Sequence, residues 1–97
     1  MPKAYLISCY RSISNPDKLA AYAKIAGPAI AAAGGKFLAR GPAAKAYEAG
    51  IAQRTVIVEF PSLAEAMALY DSPQYSAALK ALDGGADRDM RVVEGVE

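Results

Sequence analysis

The chain contains no histidine, no tryptophan and a single cysteine. Without an imidazole there is no Ser-His or Cys-His catalytic unit, and no imidazole-ligated zinc, copper or haem site. One thiol closes no intramolecular disulfide and makes no Cys-x-x-Cys clip. The carboxylates, tyrosines and backbone that remain suit Mg or Ca weakly, so neither metal nor cofactor is expected. Charge of one sign is lacking too: 11 basic against 10 acidic residues leave +1. No basic run draws the chain onto nucleic acid. Apolar types reach 54%, yet Pro, Gly and charges interrupt every run before the ~18–20 residues of a membrane span. Met1-Pro2-Lys3-Ala4 enters a strand-like run without a signal-peptide layout, and a cytoplasmic location is expected. A chain of 97 residues allows one compact domain, 1–97.

What is present alternates between two patterns. Residues 4–10 are apolar on both alternating faces, as in a strand covered on two sides. Asn15 as N-cap, Pro16 at the first position and Asp17 at the positive end of the dipole then start a helix. Leu19, Tyr22, Ile25, Ala26, Ala29, Ile30 and Ala33 form its apolar stripe. Gly27-Pro28 is expected to kink this helix without ending it, since the stripe resumes in phase; Gly34-Gly35 closes it. Residues 36–40 read as a short strand, and 54–60 as the clearest one, β-branched and stopped by Pro61. Ser62 and Glu65 make a capping box, and Ser72-Pro73 is a fresh start that divides the second helix. Gly84-Gly85 ends it, and residues 90–94 make the last strand.

Strand, helix, strand, strand, helix, strand is two split βαβ units. Right-handed crossovers then give an α+β fold, with a four-stranded antiparallel sheet ordered 4-1-3-2 and both helices on one face. That leaves a problem. Val56, Val58 and Phe60 face one way, while Thr55, Ile57 and the stem of Glu59 face the other. A monomer would leave roughly several hundred Å² of apolar sheet in water. A homodimer joined by that face is expected.

GGKFLARG (residues 34–41), RTVIVEFPS (54–62), LYDSPQY (69–75) and VVEGV (92–96) together resemble the family catalogued as domain of unknown function 1330. The likeness runs over essentially the whole chain. It implies a ferredoxin-like chain that dimerises into an α+β barrel, and it brings no established activity. The chain departs from the family pattern at Pro42, Leu69 and Leu82-Asp83, where a glycine, a tryptophan and an arginine are expected. Relatives sharing the barrel include monooxygenases, isomerases and haem-degrading proteins, but fold does not carry function with it.

Four groups of side chains are candidates for chemistry. Cys9 is a nucleophile only with an activating neighbour, and otherwise a small core side chain. Glu59, in the most apolar strand, is a catalytic proton-transfer group with a raised pKa, one half of an ion pair with Lys36, or a group exposed to solvent at a dimer edge. Tyr5, Tyr10, Tyr22, Tyr70 and Tyr75 either line a ligand cleft or belong to the core. Arg11, Arg40, Arg54 and Arg91 are placed at one end of the sheet by the topology. Converging guanidinium groups bind carboxylates or phosphates, unless Asp83, Asp87 and Asp89 neutralise them.

The leading reading is a small-molecule-handling protein, metal-free and cofactor-independent if it is an enzyme. Its ligand would be a small organic anion held by Arg40, Arg54 and Arg11 among Tyr22, Tyr70 and Tyr75, with Glu59 or a tyrosine moving protons. The alternative is a non-catalytic dimeric binding or interaction module. A cavity touching Arg40 and a tyrosine distinguishes the first from the second.

Overall fold

Asn15, Ser62 and Ser72 each turn a side-chain oxygen onto the first turn of a helix. They accept from the backbone N–H of Lys18, Glu65 and Tyr75 at 3.2, 3.3 and 3.2 Å, satisfying donors that a helix start leaves unpaired. In the computed structural model, which describes residues 2–96, the elements follow in the order β1 (Ala4–Ile13), α1 (Pro16–Ala32), β2 (Lys36–Pro42), β3 (Arg54–Phe60), α2 (Leu63–Tyr70), α3 (Pro73–Leu82) and β4 (Ala86–Glu94). The helix between β3 and β4 is thus two pieces, broken at Asp71-Ser72 ahead of Pro73. Gly27-Pro28 does not break α1, whose buried side chains Tyr22, Ala26, Ala29 and Ile30 keep one phase across it. Gly34 adopts φ 89° just beyond the helix end, a conformation that costs a residue with a Cβ.

The sheet is antiparallel in the order β2-β3-β1-β4, which is the expected 4-1-3-2 read from the other edge. Leu6 stands between Val58 and Val92, and Ser8 between Val56 and Met90. Ala4, Leu6, Ser8 and Tyr10 of β1 and Val56, Val58 and Phe60 of β3 are buried beneath the helices. Ala66, Leu69, Tyr75 and Ala78 close over them from α2 and α3. Phe60 is fully buried, so Phe60→Ala is expected to cost about 3–5 kcal/mol, read as a lowered urea midpoint.

Three strand boundaries differ from the sequence reading. β1 runs on to Ile13 through an irregularity between Tyr10 and Ser12, β2 runs on to Pro42, and β4 begins at Ala86 instead of Met90. The polar stretch Asp87-Arg88-Asp89 reads as a loop, but it pairs with β1 as an edge strand. Its alternation is charged: Asp87 and Asp89 meet Arg11 on the outer face, and Arg88 turns inward. No described helix is long and apolar enough to cross a membrane.

Candidate functional site

Strand alternation sorts the arginines onto two faces. Arg11 and Arg91 lie on the outer face, away from the helices, and both are answered by acids. Arg11 Nη1 is 3.1 Å from Asp87 Oδ1, and Arg91 grips Asp89 through Nε and Nη2 at 3.1 and 3.0 Å. That bidentate bond holds the Asp89 carboxyl below its usual pKa. Asp83 is taken by Lys18 at 3.0 Å. Arg91 stands opposite Ile7 in mid-strand, so it does not join an arginine end; the early start of β4 gives that place to Arg88, opposite Tyr10. Arg40, Arg54 and Arg88 face the helices, and none has a carboxylate within 4.0 Å among the described residues. The aspartates neutralise the outer arginines only.

Arg40 and Arg54 border a cavity of about 50 Å³ between α1 and the sheet, and Arg88 is joined to its lining through the Tyr22 hydroxyl. Leu6, Ile30, Phe37, Val56, Val58 and Met90 make its apolar wall; Ser8, Tyr10, Tyr22, Tyr75, Arg40 and Arg54 supply its polar groups. Ala23, Ala26 and Gly27 are the small residues that α1 turns to it. A Cβ at Gly27 would meet no atom within 4 Å, so the missing side chain keeps the cavity open. Gly27→Ala is expected to change stability by less than about 1 kcal/mol, since the gain in helix propensity is offset by the crowding of a Cβ against the ring of Pro28. Gly27→Leu should fill the opening and remove ligand-dependent stabilisation, both read by thermal melting.

Hydrogen bonds and cation–π contacts fix the polar groups. The Tyr22 and Tyr75 hydroxyls are 2.5 Å apart, their rings edge-to-face at 5.9 Å, and Arg88 Nη1 donates to the Tyr22 oxygen at 3.0 Å. Two cations approach the Tyr10 ring, Arg88 at 5.6 Å and Arg54 at 5.8 Å from its centroid. Arg40 sits over Phe37 at 4.4 Å. Burial, with Tyr22 beside it, pushes the Tyr75 phenol well above the ordinary tyrosine pKa. Burial opposes the charge of Arg88, but the oxygens of Tyr22 and Tyr75 outweigh it and hold the guanidinium charged. Among the described residues Arg54 Nε is buried without a partner, and Ser8 Oγ donates to the Met90 thioether at 2.9 Å. Every polar side chain here offers hydrogen, and none brings a carboxylate.

The raised Tyr75 pKa has a consequence for stability. A phenol that ionises less readily folded than unfolded contributes fully below the unfolded value of 10.0. That contribution is lost as pH rises further. Wild type should therefore lose more stability above about pH 10 than Tyr75→Phe, compared by urea midpoints across the alkaline range.

The structure brings Arg40, Arg54, Tyr22 and Tyr75 together around the cavity, along with Tyr10. It does not bring Arg11, which lies on the outer face. Tyr70 is 41% exposed and leans on the Tyr75 ring from outside, centroids 5.2 Å apart. Glu59 also faces outward and binds Lys3 Nζ at 2.9 Å. Lys36 is its cross-strand neighbour, but Lys3, two residues before Glu59's partner Tyr5 on the other flanking strand, takes the carboxylate. Cys9 is exposed on the outer face instead of packed in the core. Leu69 and Leu82, where the family pattern differs, are buried core residues and do not line the cavity. The sequence reading missed Arg88, Ser8 and Gly27; period-2 counting back from Met90 reaches Arg88 once β4 is extended to Ala86.

The profile of a family described as Domain of unknown function (DUF1330) matches residues 3–96. The chain belongs to this family. No functionally curated protein shows significant similarity to this DUF1330 chain. Among solved structures it is similar to a protein of unknown function from Rhodopseudomonas palustris, at 19% identity and TM-score 0.76, covering 99% of this chain and 84% of that one. It is also similar to a cofactor-independent oxygenase from Streptomyces nogalater, at 9% identity and TM-score 0.67, covering 100% and 96%. A dimeric protein of unknown function and ferredoxin-like fold from Bacteroides fragilis matches at 15% identity and TM-score 0.56, covering 96% of each chain. At these identities the likeness establishes the ferredoxin-like fold.

Proposed function

We propose that this DUF1330 protein binds a small organic anion with an apolar body in the cavity between α1 and the sheet. One observation carries the reading: the inward arginines have no carboxylate partners among the described residues, while the outward ones are paired. Arg54 and Arg88 are half-buried and Arg40 is exposed; like charges held in the half-buried part are costly unless an anion answers them. The apolar wall selects a ligand with a hydrocarbon part. The chemistry these side chains support is hydrogen-bond donation from a neutral tyrosine to a ligand oxygen, the electrostatic aid that isomerisation and cofactor-independent oxygenation both use. Glu59 has no part in it, being on the other face. Thermal melting with acetate, butyrate, pentanoate, hexanoate and inorganic phosphate tests the proposal. Stabilisation should grow with chain length until the cavity is full; no stabilisation by any of them would refute it.

The same proposal places a second copy of the chain on the outer sheet face. Ile7 and Ile57 are only half-buried there and Val93 is 48% exposed, which a second apolar sheet would cover. The Bacteroides fragilis protein of this fold is dimeric, which supports the reading.

A further inference from the structure

We infer that the occupant of the cavity is an oxo acid, with its carboxylate at Arg40 and Arg54 and a carbonyl oxygen several atoms away at the Tyr22–Tyr75 pair. The inference rests on the proposed anion site and adds a second recognition point to it.

Counting hydrogens at the tyrosine pair gives that point. Each phenol has one hydrogen to donate and two acceptor positions. One hydrogen lies between the two oxygens, and Arg88 fills an acceptor position on Tyr22. The second phenolic hydrogen has no protein acceptor among the described residues, whichever tyrosine carries it. Both tyrosines line the cavity, but Tyr75 is fully buried while Tyr22 keeps 8% of its surface exposed, so the spare hydrogen is offered to a ligand oxygen by Tyr22, with Tyr75 donating to the Tyr22 oxygen. A buried phenol with raised pKa stays protonated, and needs an acceptor, not a base.

The two recognition points stand apart. Arg54 is on β3 and Arg88 on β4, with Tyr10 of β1 between them. Adjacent strands are about 4.8 Å apart, so these arginines are rooted roughly 10 Å from one another. The carboxylate is therefore assigned to Arg54, and the second oxygen to the tyrosine held by Arg88. The wall between is apolar, with Leu6, Val56 and Met90. The ligand therefore carries its two oxygen groups at the ends of a short hydrocarbon link.

Calorimetric titration with 4-oxopentanoate, 2-oxopentanoate and pentanoate tests this. Wild type should bind 4-oxopentanoate about tenfold more tightly than pentanoate, the effect of one added hydrogen bond to a buried donor. The 2-oxo isomer, with its carbonyl beside the carboxylate, should gain little. Tyr75→Phe leaves the Tyr22 hydrogen in place and should keep much of the preference, whereas Tyr22→Phe leaves only the fully buried Tyr75 hydroxyl and should lose most of it. The double variant should lose it while still binding pentanoate. Equal wild-type affinity for 4-oxopentanoate and pentanoate would overturn the inference and leave the anion site standing. So would a preference that survives in the double variant. If that variant does not fold, the wild-type comparison still decides. Binding of none of the three acids would overturn the anion site itself and this inference with it.

Discussion

Alanine in place of Arg54 is expected to weaken binding of a small carboxylate by about 10- to 100-fold and to leave the fold as stable as before, or more so. The binding loss is that of one charge-assisted contact, about 1.5–3 kcal/mol. The stability side separates this residue from a structural arginine. Arg54 Nε is already buried without a hydrogen-bond partner, and no carboxylate would be orphaned by its removal, since none pairs with it among the described residues. Removing an unsatisfied buried donor relieves a penalty. Against that stands the loss of the cation over the Tyr10 ring and of the half-buried stem beside it. Arg54→Lys should bind more weakly than wild type too, because an ammonium makes no bidentate fork. Arg40→Ala should follow the same pattern. Calorimetry with pentanoate and urea unfolding of the same samples give both halves. Unchanged affinity, or a fall in stability of several kcal/mol, would make Arg54 a structural residue.

Aspartate at Ile57 is expected to convert the protein from dimer to monomer. Ile57 lies on the outer face of β3, opposite Ile7 of β1 and Ala39 of β2, at the middle of the surface assigned to the second copy. A standard interface buries about 800 Å² per partner, and a carboxylate at its centre would be desolvated without a counter-charge. The cavity lies on the opposite face, so anion binding should persist in the monomer. Light scattering of wild type should give about twice the 10.1 kDa of one chain, and Ile57→Asp about that of one, at roughly 50 µM. A monomeric wild type, or a dimer unaffected by the replacement, would contradict the arrangement.

The fold was legible because local signals agreed with one another. Asn15-Pro16, Ser62 with Glu65, and Ser72-Pro73 start helices where capping chemistry says they must. The strand order followed from connection rules applied to correctly typed elements. The site was legible in outline. Arg40, Arg54, Tyr22 and Tyr75 converge because two strand ends and two helices meet there. What escaped the sequence was the face of each charge. Asp87-Arg88-Asp89 reads as a polar loop, and only pairing with β1 turns it into alternation, sending the aspartates to Arg11 and Arg91 and Arg88 to Tyr22. Glu59 has Lys36 on one neighbouring strand and Lys3 just ahead of the other, and nothing in the residue order says that Lys3 wins over Lys36. Gly27 reads as a helix defect, and its value as an opening needs the third dimension.

The most direct test of the proposed anion site is an amide NMR titration of the wild-type protein with pentanoate. The expected result is a set of shifts confined to the helix face, at Ala23, Ala26 and Gly27 on α1 and at Arg54 and Val56 on β3, saturating as the acid is added. Shifts centred on Arg11, Asp89 and Arg91 on the outer face, or none that saturate, would contradict it.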